Sequence, residues 1–226
     1  MNCDGGETGA DSRKLYTTRH LQAIAARWDA KAADWDRSLL DAECHLNEDN
    51  SYERFLTIAL NAVKARRRFF SRQGVIDAGC ATGLVMTQVI RYFAWGVGVD
   101  ISPEMIKKAQ GKNIPNTQFV VGDCFHLIES AQKAGAVFSR GVLLSHYGNE
   151  QALELLKSGR EALVDRGLLI CDFLNEAGRP RYKHSPPNKT YFSAEEVHQF
   201  GRAAGFTSVR IDGEKERRVQ YLLAVK

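Results

Sequence analysis

From Gly74 onward the chain alternates between short runs that are apolar at nearly every position and longer stretches in which apolar residues recur every three or four positions. The runs are GVIDAG, GVGVD, TQFVVGD, AGAVFSR, GLLICDFL, TSVRID and VQYLLAVK, and helical patterns lie between them at about 82–93, 103–110, 150–164 and 193–204. Apolar runs of this kind are strands buried on both faces, and the helices between them are crossovers. The pattern therefore predicts an α/β fold with a doubly wound, Rossmann-like sheet of about seven strands, mostly parallel and covered by helices on both sides. Only GEKERR separates the last two runs, so they should pair as an antiparallel hairpin at the C-terminal edge. Ahead of Gly74 the spacing is helical throughout: Leu21, Ile24, Ala25 and Trp28, then Trp35 and Leu39, and later Phe55, Ile58, Ala59, Ala62 and Val63. Two leading helical segments follow, at 15–40 and about 51–70, forming a cap over residues 15–72.

Composition narrows this to one domain. The chain has 226 residues, of which 44% are hydrophobic and 26% charged, enough for a single sizeable core spanning 15–226. Residues 1–14 have almost nothing to bury and are expected to be disordered. The stretch RPRYKHSPPNKTY, within an insertion at 175–191, is a long irregular connection of the sort that usually carries function. A net charge of +4 imposes no single-sign field, so nucleic acid is not implied. The basic run KARRRFFSR at a helix end is accounted for by the helix dipole. Five cysteines, Cys3, Cys44, Cys80, Cys124 and Cys171, form no CxxC pair and no cluster with histidine, which suits reduced thiols in a cytoplasm and no metal site. The first residues lack the basic start and apolar run of a secretion signal, and no uncharged apolar run approaches the ~18 residues of a membrane span. A soluble, unprocessed chain is expected, with a homodimer left open.

Candidate chemistry centres on VIDAGCATG, residues 75–83, where a buried strand runs into a turn. Ligands of open parallel sheets bind beyond the C-terminal strand ends. Gly79 and Gly83 would let the backbone turn and approach a ligand without a Cβ in the way. Three successive strands end on acids: Asp77, Asp100 and Asp123. Asp100 alone would suit the ribose of a nicotinamide dinucleotide, but the G-x-x-x-G spacing departs from that motif and Asp77 would repel a pyrophosphate. A ligand with an amine, a sulfonium, a ribose diol and an adenine fits better: Asp77 for the ammonium, Asp100 for both ribose hydroxyls, and Asp123 or the backbone at Cys124 for the adenine amino group. That ligand is S-adenosylmethionine.

From about Trp28 to the C-terminus the chain resembles the class I S-adenosylmethionine-dependent methyltransferases of small-molecule type. VIDAGCATG is similar to the family's first motif, GVDIS to its second, VVGDCF to its third and AVFSRGVLLSHYGN to its fourth, and YFSAEEVHQFGRAAGF to its closing helix. Ala81 departs from the family, which most often has a third glycine there. The resemblance implies cofactor contacts at Gly79, Cys80, Ala81, Gly83, Asp100, Ile101 and Cys124, besides Asp77 and Asp123. ARWDAKAADWD is similar to the aromatic–Asp pairs that precede the core in many members, so Trp35 is expected to lean over the cofactor, whereas Trp28 reads as a core anchor. Metal-dependent relatives place a carboxylate where this chain has Ser139 and Arg140, and Arg140 is read as a partner of the methionine carboxylate. SPPN, residues 185–188, differs in place and in its last residue from the motif of DNA-amino methyltransferases and reads as loop punctuation.

In-line methyl transfer asks a protein mainly to align donor and acceptor in a dry cavity. His146 and Tyr147 follow the fourth strand, where the transferred methyl should lie, and are the candidates for contact with the acceptor. His146 would serve as the base if it titrates in the ordinary range near 6.5. Residues 15–40 and the insertion are expected to cover this side. The reading is therefore methyl transfer to an oxygen or nitrogen of a small molecule, with natural-product biosynthesis as a setting. RNA-base methylation, a non-catalytic cofactor-binding subunit and a dehydrogenase are the alternatives.

Overall fold

A computed structural model describes residues 18–40, 50–141, 143–181 and 189–226. The expected disorder of residues 1–14 and residues 182–188 of the 175–191 insertion lie outside the described residues.

Seven strands form one sheet in the order β3-β2-β1-β4-β5-β7-β6, with β1 Gly74–Ala78, β2 Trp95–Asp100, β3 Thr117–Val121, β4 Ala134–Ser139, β5 Leu163–Leu174, β6 Ser208–Asp212 and β7 Val219–Val225. β1 to β5 are parallel, while β7 runs antiparallel to both β5 and β6. The expected edge hairpin is thus present, with β6 outermost. β1 and β4 are buried at every position, as strands covered on both faces must be. Neighbouring residues divide between two cores: Ile76 and Val137 face one with Leu156, Val197 and Phe206, and Val75 and Phe138 face the other with Phe55, Val63 and Met86.

Helices α1 Thr18–Asp29, α2 Trp35–Leu40, α3 Ser51–Ala65, α4 Arg67–Phe70, α5 Leu84–Val89, α6 Pro103–Gly111, α7 Leu127–Ser130, α8 Asn149–Glu161 and α9 Ala194–Ala203 complete the described chain, with short 3₁₀ turns between some of them. Local signals set several boundaries. Ser102 caps α6 by accepting from the Met105 N–H, with Pro103 at the first helical position. Ser193 and Glu196 form a capping box at α9.

The structure departs from the sequence pattern in four places. The first leading segment is broken into α1, a 3₁₀ turn at Ala32–Asp34 and α2, because Ala32 and Leu39 turn into the core while Trp28 and Trp35 do not. Trp28 is a wall of the ligand cavity described below and not a core anchor. α3 lays Phe55, Ala59 and Val63 on the sheet, so it is a core layer and not part of a cap. β5 begins at Leu163, within the expected helix, because Leu163 pairs with Ala134 before a bulge that resumes at Leu168 and Ala136. Arg166, at φ 63°, takes the sharp turn in that bulge.

Candidate active site

The turn after β1 is built from backbone requirements. Gly79, Ala81 and Gly83 have φ of 73°, 46° and 79°, a left-handed region that glycine enters freely and alanine only when held. Ala81 is held: its N–H donates to Asp100 Oδ2 at 2.8 Å. Gly79 and Cys80 N–H both donate to the Val99 carbonyl, tying the turn to the end of β2. A Cβ on Gly79 would meet only Leu143, at 4.0 Å, so this side of the turn is open. Gly83 has a different job from ligand approach. It starts α5, lines neither cavity described here, and packs so closely on the Phe119 ring that a Cβ would lie 2.8 Å from it.

Beyond the strand ends lies a cavity of about 320 Å³. Trp35, Gly79, Ala81, Asp100, Ile101, Asp123, Cys124, Arg140, His146 and Tyr147, all expected at the site, line it. A smaller recess opens beside it against Trp35, Tyr52, Asp77, Gly79, Cys80 and Arg140, so Asp77 and Cys80 sit behind the turn.

The three acids differ in environment. Asp77 is 1% exposed, and its Oδ2 has no hydrogen-bond partner among the described residues. Burial, with Asp100 adding to it, pushes its carboxyl up to about 7. Asp100 is also raised by burial, but N–H groups of Ser102 and Ala81 donate to its two oxygens at 2.9 and 2.8 Å and oppose the shift. Those two bonds fix the carboxylate and leave each oxygen a further lone pair for a ligand hydroxyl. Asp123 accepts from the Phe125 N–H and lies 3.3 Å from His126 Nδ1.

On the other side, Arg140 follows the last residue of β4; its Nη2 donates to Ser51 Oγ at 3.1 Å and its guanidinium stands 5.5 Å from the Tyr52 ring centre. Asp172 on β5 clamps the following loop by accepting the Gly141 N–H with both oxygens. The Ser145 hydroxyl accepts from Leu174 N–H, and its carbonyl accepts from Thr190 N–H. This second clamp carries Lys189 to His146, whose Nε2 it contacts. Burial first, then Lys189, Arg27 and Lys31, push the imidazole down to about 3. The expected titration near 6.5 is thereby overturned, since a partly buried ring among cations gives up its proton easily. The Trp28 ring lies 5.4 Å from His146 and 5.7 Å from Trp35, so three rings make one wall.

That wall is latched to the Asp100 side of the cavity by Asp29 and Asp36. Asp29 Oδ1 accepts from Ser102 Oγ and from Glu104 N–H, and Asp36 accepts from Thr82 Oγ1 and pairs with Lys112 at 2.8 Å. The Trp–Asp pairs at 28–29 and 35–36 were the available signal. Arg27 and Lys189 were missed altogether. Among the described residues no three His, Cys, Asp or Glu side chains converge as a metal site, and no helix is long and apolar enough to cross a membrane.

Residues 75–167, which hold the turn, all three acids and His146, match the model of a methyltransferase domain. That match is to a methyltransferase domain, over this segment of the chain. No curated protein matches it in sequence. Among solved structures, the magnesium protoporphyrin IX methyltransferase of Synechocystis PCC 6803 with bound SAH superposes at a TM-score of 0.70 with 17% identity, over 91% of this chain and 99% of that one. DesVI of Streptomyces venezuelae gives 0.67 and 16%, over 86% and 98%. The CcbJ methyltransferase of Streptomyces caelestis gives 0.61 and 18%, over 72% and 87%. At these identities the likeness is one of fold, that of a mixed seven-stranded sheet with antiparallel C-terminal strands.

Proposed function

We propose that this chain binds S-adenosylmethionine along the Asp77–Asp123 side of the cavity and transfers its methyl group to an oxygen or nitrogen of a small acceptor held against Trp28, His146 and Tyr147. The observation that carries the reading is Asp77 Oδ2, a buried carboxylate oxygen with no partner among the described residues, beside a recess at the Gly79 turn. A buried acid without a donor is costly, and an ammonium group is what would satisfy it. A pyrophosphate would make it worse, which weighs against a dinucleotide.

The residues divide the work. Asp100, already fixed by two backbone N–H groups, would hold the ribose diol, and Asp123 with the Cys124 backbone would meet the adenine. Arg140, beside Tyr52 at the recess, would take the methionine carboxylate. S-adenosylmethionine supplies a methyl on a sulfonium, whose positive charge is lost as the acceptor attacks in line. Because that charge disappears, a dry aromatic wall helps the reaction, and Trp28, Trp35 and Tyr147 provide one. His146 is a weak base at a pKa near 3, so its part is to orient the acceptor. A cavity of this volume is of the size that holds small molecules. Free thiols at Cys80, Cys124 and Cys171 support a reducing, cytoplasmic setting.

The test is a melt with SAH and, separately, NAD. At a hundredfold excess over the dissociation constant, SAH should add about 2.7 kcal/mol and NAD nothing. Stabilisation by NAD and not by SAH would overturn the assignment. Formation of SAH from S-adenosylmethionine across a panel of hydroxyl and amine acceptors then tests transfer itself.

A further inference from the structure

Besides its acids, the cavity is lined by a series of rings. Trp35, Trp28, His146 and Tyr147 all line it, and each is only partly buried. The series is continuous: Trp35 to Trp28 at 5.7 Å between ring centres, Trp28 to His146 at 5.4 Å, and His146 to Tyr147 at 6.4 Å. Phe125 stands against Tyr147 at 5.1 Å, and Ile24 and Leu143 add aliphatic surface to the same cavity. These rings come from three separate parts of the chain: α1 with the start of α2, the turn after β3 and the loop after β4.

Packing of the fold does not account for them. Ala32 and Leu39, not the two tryptophans, seat this part of the chain in the core, so Trp28 and Trp35 keep large rings at the edge of a cavity. A guest that covers them recovers burial that the fold leaves unused. The angles narrow the guest. Neighbours in the series meet at 86°, 47° and 46°, so none is stacked in parallel on the next. A planar ring entering the angle between two of them meets one offset and parallel and the other edge to face, the arrangements that aromatic pairs prefer. A saturated body of the same size gains only the buried area. A cation is not called for, because the Lys31 ammonium and the Arg27 guanidinium already stand 4.9 and 5.8 Å from the Trp28 ring centre. His146 has polar partners of its own: Lys189 contacts its Nε2, and the Gly141 backbone makes a hydrogen bond with the imidazole. It therefore joins the wall as a fixed ring.

We propose that the acceptor is aromatic, a planar ring that carries its hydroxyl or amino group directly and lies in the angle between Trp28, His146 and Tyr147. This rests on the methyl-transfer reading and adds the substrate class. Trp35, which also borders the recess at Asp77, is left to the cofactor. Trp28 and His146 set specificity through their ring surfaces, and by fixing the plane of the acceptor they fix the line along which its nucleophile attacks.

The experiment titrates matched probes into protein saturated with SAH and follows binding by NMR: phenol against cyclohexanol, and 2-naphthol against its decahydro counterpart. Each pair shares a hydroxyl and a carbon skeleton and differs in aromaticity. At least one aromatic probe should bind about fivefold or more tightly than its saturated match. Trp28→Leu and His146→Leu should each bring that ratio down to about twofold or less. Trp28→Phe and His146→Phe should keep most of it, because phenylalanine returns a ring without the indole N–H or the imidazole nitrogens. SAH affinity should change by less than about twofold in these variants, which also shows that they are folded; if a leucine variant does not fold, the other pair decides. Equal binding of aromatic and saturated probes in the wild type, or a ratio that survives in the leucine variants, would overturn the proposal. So would a ratio abolished by His146→Phe, which would make the histidine a hydrogen-bonding group, or a tenfold loss of SAH affinity in Trp28→Leu, which would put that ring on the cofactor. Wild-type protein that fails to bind SAH at all would instead overturn the methyl-transfer reading beneath it.

Discussion

Replacing Asp77 by asparagine should make the cofactor-free protein more stable and its cofactor binding weaker, and the size of the gain should depend on pH. The native carboxyl sits at about 7, against an ordinary value of 3.8. Below about pH 4 the acid is protonated in both native and unfolded chains, and its burial carries no charge penalty. Between about pH 4 and pH 7 the unfolded chain releases a proton that the native state keeps, so native stability falls by about 1.4 kcal/mol per pH unit. Above about pH 7 the full penalty, about 4 kcal/mol, is present and constant. Asparagine carries its own desolvation cost, but that cost does not vary with pH. The difference in unfolding free energy between variant and wild type should therefore grow by about 3 kcal/mol from about pH 5 to pH 8. Denaturant unfolding of both proteins at several pH values measures it. In parallel, calorimetry at about pH 8 should show SAH binding weakened by roughly tenfold to a hundredfold, the loss of one charge-assisted bond. Parallel stability–pH curves would refute the assignment of Asp77 as an uncompensated acid, and unchanged SAH affinity would refute its role toward the ammonium.

Asp100→Ala should weaken SAH by about 2–4 kcal/mol in calorimetry and lower the melting temperature of the free protein, because Ala81 and Ser102 N–H lose their acceptor as well. Gly83→Ala should cost about 1–3 kcal/mol in denaturant unfolding, since a Cβ would meet the Phe119 ring at 2.8 Å in a backbone conformation that alanine resists. His146→Ala should reduce turnover with little change in SAH affinity. The wild-type pH–rate profile should also show no step from this ring near pH 6.5, because a group titrating at about 3 is already neutral there.

What the sequence made legible is what is local. The turn at 75–83, the acids at the ends of β1 and β2, Asp123 just beyond β3 and the edge hairpin each declare themselves within a few residues, because strand period and glycine spacing are short-range signals. Lys189 and His146 are 43 residues apart and meet only because Ser145 clamps the loop after β4 to both Leu174 and Thr190. No pattern in either segment announces that contact, and the imidazole's low pKa follows from it. Trp28 misled for a related reason: helical spacing identifies the apolar face of α1 but not whether that face meets core or cavity. The start of β5 was hidden because Ala162 and Leu163 suit the end of α8 as well as the strand they enter.

The latches at Asp29 and Asp36 have a kinetic consequence. They fasten α1 and α2 to Ser102, Glu104, Thr82 and Lys112, the neighbours of the groups that would grip the ribose and the methionine end. The wall that would receive the acceptor is thus anchored to the elements that would lie beneath the donor. Turnover should accordingly be sequential and ordered, with the donor bound first and SAH leaving last. Product inhibition would then show SAH competing with S-adenosylmethionine but not with the acceptor, and raised salt, which screens the Asp36–Lys112 pair, should erode that order before it abolishes donor binding.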